Sequence, residues 1–258
     1  MKSSLKVVLL QYDVIWNNLE VNLEKIMLLL GSVRQKIDII ILPEMFATGF
    51  TLRPKLLTEG NENFIIEKLK EISENYNACV IGSHPCKSDN SYYNRLLILK
   101  DQHTVLTYDK KHLFKKTGED KQYYPGSEQV VFDYQGWKIL PLICYDLRFP
   151  VWSRNTMNYD LLVYSANWPA VRNHIWETLL NARAIENQCY VCGVNRTGED
   201  KNRIKYIGNS RVINYKGEIL KKLDNKESVL ITELKMKELK EFRAQFPFLE
   251  DADKFRFI

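Results

Sequence analysis

The chain has 258 residues, and its 37 lysines and arginines against 32 aspartates and glutamates give a formal net charge of +5. A hydrophobic fraction of 45% and a charged fraction of 27% are ordinary for a globular domain and exclude disorder as a description of the whole chain. Because basic and acidic residues are interleaved, whereas a nucleic-acid binder concentrates its basic residues on one face, we expect no nucleic-acid partner.

The first half of the chain alternates between predicted strands and predicted helices. Short apolar runs bounded by turn signals predict buried strands, and apolar residues at helical spacing predict amphipathic helices. Predicted strands cover residues 6–11, 37–42, 78–83, 92–99, 104–108, 130–133 and 138–143, and predicted helices cover residues 19–30 and 64–76. The last of these strands ends directly before a cysteine.

The second half contains more strands, several of them at hairpin spacing. Predicted strands cover residues 161–165, 190–195, 210–214, 218–223 and 228–233, and predicted helices cover residues 172–187 and 236–242. This order predicts one α/β domain over residues 1–258, with a mixed sheet and helices outside it. Residues 243–258 are rich in phenylalanine, so we expect this tail to dock on the body or on a partner subunit.

The sequence gives no sign of a membrane segment, a disulfide framework or a metal site. No stretch approaches the roughly 20 apolar residues that span a bilayer, and no secretory signal is recognisable, so we expect no membrane partner. Five cysteines, an odd number, favour a reducing cytoplasmic compartment. Cys189 and Cys192 lie in a predicted strand, where residues three apart point to opposite faces. The four histidines lack metal-ligand spacing, and we expect no metal or organic cofactor.

Polar residues follow the ends of three predicted strands, at Glu44, at Cys144 and at Asn167 with its neighbouring tryptophan. Ligands bind at the carboxyl ends of strands in open α/β sheets, so these residues and Lys110 are expected to share a pocket. Each has another interpretation. A free cysteine is often simply buried, Glu44 could complement a helix dipole, and Lys110 and Glu119 could be loop or surface charges. The prediction of a shared pocket rests on the occurrence of these residues together, not on any one of them.

The motifs around these residues resemble those of the nitrilase, or carbon–nitrogen hydrolase, superfamily, with Glu, Lys and Cys in that family's order. They are Leu42-Pro-Glu44-Met-Phe, Tyr108-Asp-Lys110-Lys-His-Leu-Phe114 and Cys144-Tyr-Asp-Leu-Arg-Phe-Pro150. Further similar segments at residues 92–95, 165–169, 183–187 and 206–210 extend the resemblance over nearly the whole chain. Residues 243–253 are similar to the bacterial omega-amidase branch. The resemblance implies a four-layer α-β-β-α sandwich and a homodimer.

The resemblance also implies acyl transfer through a thioester. It maps Cys144 as the nucleophile, Glu44 as the general base and Lys110 as the electrophilic partner. Glu119 aligns with a second glutamate that orients the site in many members. The physical chemistry agrees, because a thiol is mostly protonated at neutral pH and needs a base to take its proton. A lysine also offsets the repulsion between a thiolate and two carboxylates.

The same mapping extends to the residues around the nucleophile. Lys110 and the backbone N–H of Tyr145 are expected to hold the negative charge that develops on the carbonyl oxygen. Asp146 and Arg148 are expected to brace the turn at the nucleophile rather than to react.

The branch resemblance implies an amidase for the omega-amide of a short 2-oxo dicarboxylate, such as 2-oxoglutaramate. A carboxylate substrate needs a cationic or hydrogen-bonding recess, for which Arg172 is a candidate, although it could also simply begin a helix. Phe50, Phe114 and Trp168 are expected to form apolar walls. Two alternatives stay open: a hydrolase of another small amide or an N-carbamoyl compound, and a binding scaffold without catalysis.

Overall fold

The computed structural model describes residues 2–55, 61–101 and 103–256. Six strands form a first mixed sheet: β1 (Ser4–Gln11), β2 (Ile39–Ile41), β3 (Cys79–Ser88), β4 (Ser91–Leu99), β5 (Val105–Asp109) and β14 (Ser228–Lys235). Their order across the sheet is β14-β1-β2-β3-β4-β5. The three central strands β1, β2 and β3 run parallel, and the outer ones pair antiparallel.

A second sheet has the same size and the same plan. Its strands are β6 (Phe132–Tyr134), β7 (Trp137–Ile143), β8 (Leu161–Ala166), β9 (Tyr190–Asn195), β12 (Arg211–Ile213) and β13 (Ile219–Lys222). They are ordered β13-β12-β9-β8-β7-β6, with β7, β8 and β9 parallel. A separate hairpin pairs β10 (Thr197–Glu199) with β11 (Lys205–Ile207). The sequence patterns do not predict this hairpin, because three residues are too few to establish a period.

The alternation of side chains along β1 explains how the layers stack. Val7 and Leu9 join a core cluster that they share with the second sheet, whereas Val8 and Leu10 join a cluster with helices on the other face. Those helices are α1 (Leu19–Leu30) and α2 (Asn61–Tyr76).

The second sheet is covered by α3 (Asn173–Asn187). A side chain at Gly193 of β9 would lie 2.5 Å from Leu180 and 2.8 Å from Trp176, so glycine lets this helix approach closely. The predicted four-layer α-β-β-α sandwich is therefore confirmed.

The last helix, α4 (Met236–Gln245), runs three residues into the segment predicted as a tail. Arg243 fixes this end, because its guanidinium donates to Asp160 at 3.0 Å and to the carbonyl oxygen of Gln188 at 2.8 Å. Residues 257 and 258 of the predicted tail lie outside the described residues. Among the helices of the described ranges, none is long and apolar enough to cross a membrane.

Candidate active site

The ends of four strands deliver polar side chains to one cavity of about 470 Å³. Glu44 follows β2, Lys110 follows β5, Cys144 follows β7 and Asn167 follows β8. The parallel strands β2 and β7 thus bring a carboxylate and a thiol together, and the antiparallel strand β5 adds the amine of Lys110.

Glu44, Lys110 and Glu119 form a buried carboxylate–lysine cluster. The amine of Lys110 lies 2.8 Å from Oε1 of Glu44 and 2.9 and 3.0 Å from the two oxygens of Glu119. All three side chains are at most 1% exposed. Glu119 does not line the cavity and instead lies behind Lys110, where the backbone N–H of Phe114 also donates to it. Its geometry suits holding the lysine rather than touching a substrate.

Two asparagines complete the hydrogen bonding of this cluster. The amide of Asn94, on β4, donates to Glu44 at 2.8 Å and to Glu119 at 3.3 Å. Asn167 donates its backbone N–H to Oε2 of Glu44 at 3.0 Å and its side-chain amide to the carbonyl oxygen of Glu44 at 2.7 Å. Asn94 has no role predicted from the sequence, although it lies within a motif that carries the resemblance. The register of β4 between β3 and β5 decides which β4 side chains meet Glu44.

Cys144 begins a tight 3-10 turn, Cys144–Arg148, with a left-handed backbone φ of +41°. Such a φ is strained for a residue with a side chain, and strained backbone clusters at functional sites. The carboxylate of Asp146 fixes the turn by accepting the N–H of Ile143 at 3.1 Å. It also accepts the hydroxyl of Tyr108 at 2.7 Å and the backbone N–H of His112 at 3.0 Å. Asp146 thereby links the turn at the nucleophile to the segment that carries Lys110.

The electrostatics of the cluster favour a neutral thiol beside a protonated lysine. Burial, and then the charge of Glu44, raises the pKa of the Cys144 thiol well above its usual value, although Lys110 lowers it. Burial alone would lower the pKa of Lys110, but the charges of Glu119 and Glu44 outweigh it and hold that pKa well above its usual value. Burial also raises the pKa of Glu119, against the lowering effect of Lys110. The thiolate therefore needs a proton acceptor at the moment of attack.

The residues predicted to line the cavity are all in its wall. They are Phe50, Phe114, Trp168 and Arg172, and Tyr145, predicted to contribute its backbone N–H, lines the cavity as well. The rings of Phe114 and Tyr145 are 4.8 Å apart, and the guanidinium of Arg172 lies 5.3 Å from the Phe114 ring. Arg172 also ends the turn that leads into α3, so it both begins the helix region and faces the cavity.

Arg148 is placed differently from the sequence-based expectation. Its guanidinium does not brace the turn at the nucleophile but lines the cavity, 5.2 Å from the ring of Trp168. Arg148 and Arg172 are half-buried, and neither forms an ion pair within the described part of the chain. We call these two residues the inner arginines. The sequence could not show their common location, because one follows β7 and the other precedes α3.

No group of three histidine, cysteine or acidic residues in the described ranges is placed to hold a metal ion. Cys189 and Cys192 are buried free thiols. Burial raises the pKa of both thiols far above its usual value, so these two cysteines are unreactive residues of the core.

The chain matches known proteins over most of its length. The family model described as carbon–nitrogen hydrolase matches residues 6–244. An omega-amidase of Yersinia enterocolitica, named YafV, is 44% identical over 254 residues and covers 98% of each chain. A 2-oxoglutaramate amidase of Bacillus subtilis is 31% identical over 250 residues, which is 95% of this chain and 96% of the relative.

A solved structure agrees with the fold over its full length. The crystal structure of a carbon–nitrogen hydrolase superfamily protein from Xanthomonas campestris, with an arsenic adduct in its active site, superposes with a TM-score of 0.96. The two proteins are 34% identical, and the alignment covers 100% of both chains. By the family match, the relatives and the fold, this chain belongs to the carbon–nitrogen hydrolase family and to its omega-amidase-like branch.

Proposed function

We propose that this chain hydrolyses the omega-amide of a short 2-oxo dicarboxylate monoamide, such as 2-oxoglutaramate, to the acid and ammonia. The observation that carries the proposal is a single cavity in which Cys144, Glu44 and Lys110 meet two half-buried arginines. The first group suits amide hydrolysis, and the arginines suit a substrate with a carboxylate at its other end. The printed names of the relatives from Yersinia and Bacillus support the same substrate class.

Catalysis begins with the transfer of the Cys144 proton to Glu44. Burial, and then the charge of this carboxylate, raises the pKa of the thiol and keeps it protonated until a substrate carbonyl is in place. The sulfur then attacks the amide carbon, and the carbonyl oxygen takes the negative charge. Lys110 and the backbone N–H of Tyr145 stabilise this oxyanion, a role in which one donor is worth about 10²–10³ in rate.

The intermediate collapses to a thioester when Glu44 returns its proton to the departing ammonia. In the second half of the cycle, Glu44 takes a proton from water, and the resulting hydroxide attacks the thioester carbon. The C–S bond breaks, the acid leaves, and the thiolate regains its proton from Glu44. Glu119 takes no proton in this scheme, because both of its oxygens are bound to Lys110 and it lies away from the cavity.

The substrate carboxylate binds to the inner arginines, while Phe50, Phe114 and Trp168 form the apolar walls around the short carbon chain. The planar forks of Arg148 and Arg172 match the geometry of a carboxylate, and a 2-oxo group adds a further acceptor beside it. A compound without that anion leaves two half-buried charges unpaired, which disfavours its binding.

We further propose a cytoplasmic homodimer. Five unpaired cysteines suit a reducing compartment. Apolar side chains near the end of α3 and after α4 are exposed, with Ile185 at 55% and Phe248 at 59%, as expected for a surface that a second copy covers. Sedimentation of the purified protein tests the assembly, and a monomer at micromolar concentration would contradict it.

The experiment for the activity is ammonia release from 2-oxoglutaramate and from succinamate. We expect turnover by the wild type, none by Cys144→Ala, and near-normal turnover by Cys189→Ala, the control for a buried thiol outside the site. Mass spectrometry should locate an electrophilic amide analogue on Cys144. Turnover of N-carbamoyl compounds but of no acidic amide would favour the alternative substrate class, and no turnover of any small amide would favour a binding scaffold.

A further inference from the structure

Two further cations line the cavity at its exposed edge, on different elements from the inner arginines. Arg53 lies in the segment that follows Phe50, and Lys201 lies at the turn between β10 and β11. Both are exposed, whereas Arg148 and Arg172 are half-buried. We call Arg53 and Lys201 the outer pair.

Lys201 is held in place by an aromatic ring. Its amine lies 3.5 Å from the centre of the Trp16 ring, a close cation–π contact. Burial at this ring, and then the like charge of Arg53, lowers the pKa of Lys201. Arg53 and Lys201 line the same cavity, so their like charges repel each other, and an anion near them relieves that repulsion.

Among the described residues, the carboxylate that lines the cavity near Lys201 is that of Asp200, and it holds the turn. Asp200 accepts the backbone N–H groups of Asn202 at 2.8 Å and of Ile204 at 3.0 Å, and the hydroxyl of Tyr206 at 3.0 Å. It offsets the charge of Lys201 only in part. Neither Arg53 nor Lys201 forms an ion pair with any residue that the structure describes.

We propose that the outer pair captures anionic substrate electrostatically and delivers it to the inner arginines, which raises the rate of productive encounter. This inference rests on the proposed function, because it assumes that the amide substrate carries a carboxylate. Charge of one sign along a cleft raises the local concentration of an oppositely charged substrate and its association rate. Since the outer pair is exposed, salt screens its effect, whereas charges that are partly buried are screened much less.

The test is the dependence of kcat/KM on salt for the wild type and for the double variant Arg53→Gln/Lys201→Gln. Between about 0.01 M and 1 M salt the screening length falls from ~30 Å to ~3 Å. With 2-oxoglutaramate, we expect the double variant to lose roughly tenfold in kcat/KM at low salt, the low end of the range for charge-lined clefts. KM should rise in the double variant while kcat stays the same, and the kcat/KM values of the two proteins should converge at high salt.

A matched control removes one arginine and one lysine elsewhere. Arg34 and Lys36 are exposed in the loop between α1 and β2 and do not line the cavity. The variant Arg34→Gln/Lys36→Gln changes the net charge equally, and it should keep the salt dependence of the wild type. A neutral short amide should show little salt dependence with any of the three proteins.

Two results would overturn the inference. One is a double variant whose kcat/KM and salt dependence equal those of the wild type. The other is an increase in KM that persists unchanged at high salt, which would indicate a direct contact with the substrate instead of long-range capture. Failure of the proposed function is distinguishable from both, because the wild type itself would then not hydrolyse the acidic amide at any salt concentration.

Discussion

The carboxylate–lysine cluster and the cationic side of the cavity differ in how their side chains are held, although both face the same substrate. The cationic side consists of Arg53, Arg148, Arg172 and Lys201. Glu44, Lys110 and Glu119 are at most 1% exposed and are joined to one another by hydrogen bonds of 2.8 to 3.0 Å. The four other cations that line the cavity among the described residues lie against aromatic rings or solvent, and none of them forms an ion pair with a carboxylate that the structure describes. Burial fixes the geometry of the reacting groups, and the lack of a carboxylate partner among the described residues leaves the cations available for an anion.

This difference separates two kinds of mutational effect. Removing a charge from the buried cluster leaves its partners unpaired at low dielectric, so stability and activity fall together. Removing a cation from the cavity wall leaves no buried carboxylate without its counter-charge, so only substrate binding should change. The largest effect is therefore expected where one substitution disturbs most bonds of the buried cluster.

The substitution Lys110→Met should have the largest effect. It leaves Glu44 and Glu119 buried without the cation between them, and breaking a buried ion pair in this way costs about 3–5 kcal/mol of stability. Turnover should fall below detection, because an oxyanion donor is lost as well. Denaturant unfolding measures the stability, with Lys111→Met, at the neighbouring half-buried lysine, as the control.

The pH dependence of that loss follows from the pKa of Lys110. A group whose pKa is higher in the folded than in the unfolded protein stabilises the fold fully below its unfolded-state pKa. That stabilisation is lost as the pH rises through its folded-state pKa. The pKa of Lys110 in the folded protein lies well above its usual value. The wild type should therefore keep the stability that this lysine contributes throughout neutral and mildly alkaline pH. In Lys110→Met the deficit should shrink toward acid pH, because protonation of the buried Glu119, whose pKa burial raises, removes its need for a cation. A deficit that is constant with pH would contradict the ion-pair explanation.

The substitution Glu44→Gln should abolish most turnover and yet make Cys144 more acidic. Loss of the general base costs about 10²–10⁴ in rate. After burial, the charge of Glu44 is the largest contribution that raises the pKa of the thiol, so its removal should lower that pKa. Thiolate absorbance against pH measures this, with Cys144→Ala subtracting the other cysteines. A thiol that titrates at higher pH in Glu44→Gln would contradict the arrangement.

The buried half of the site could be predicted from the sequence more fully than the exposed half. Glu44 and Cys144 directly follow apolar runs that read as parallel strands, so the fold rule for strand ends places them together. The resemblance supplies Lys110 and Glu119, which lie after an antiparallel strand and in a loop. Apolar runs predict the central strands because these bury both faces, and helical spacing of apolar residues predicts the helices because each buries one face.

The cationic side depends on contacts that the sequence does not encode locally. Arg148 follows the nucleophile by four residues, a spacing that suggests a brace, but the 3-10 turn directs it over Trp168 instead. Lys201 is one of many charged residues in a polar stretch, and only the short hairpin β10–β11 brings it to the cavity. Asn94 meets Glu44 only through the register of β3 and β4.

The substitution Asp146→Asn tests how the two reacting segments are aligned. Its carboxylate accepts from the segment before Lys110, through Tyr108, and from His112 beyond it, as well as from the strand end before Cys144. An amide donates where the carboxylate accepts, so part of this linkage is lost. Small displacements of reacting groups cost up to about 10² in rate.

We therefore expect Asp146→Asn to lower kcat by about 10- to 100-fold with little change in KM. The alkylation rate of Cys144 supplies a readout of the nucleophile that does not depend on substrate binding. Asp133→Asn, an exposed carboxylate that also accepts a backbone N–H, is the control. An increase confined to KM would mean that Asp146 acts on the cavity wall rather than on the alignment of the nucleophile.

The smallest disturbance of the protein itself should come from substituting the inner arginines, because the effect should fall on substrate binding alone. Arg172→Gln removes one charged hydrogen-bonding partner of the substrate carboxylate, worth about 1.5–3 kcal/mol, so KM should rise tenfold or more while stability stays unchanged. Arg172→Lys keeps the charge but not the planar fork, and should recover only part of the affinity. Because Arg172 is half-buried, this loss should persist at high salt, where the effect of the exposed outer pair disappears. A loss of stability equal to that in Lys110→Met would show that the two sides of the cavity are not held differently.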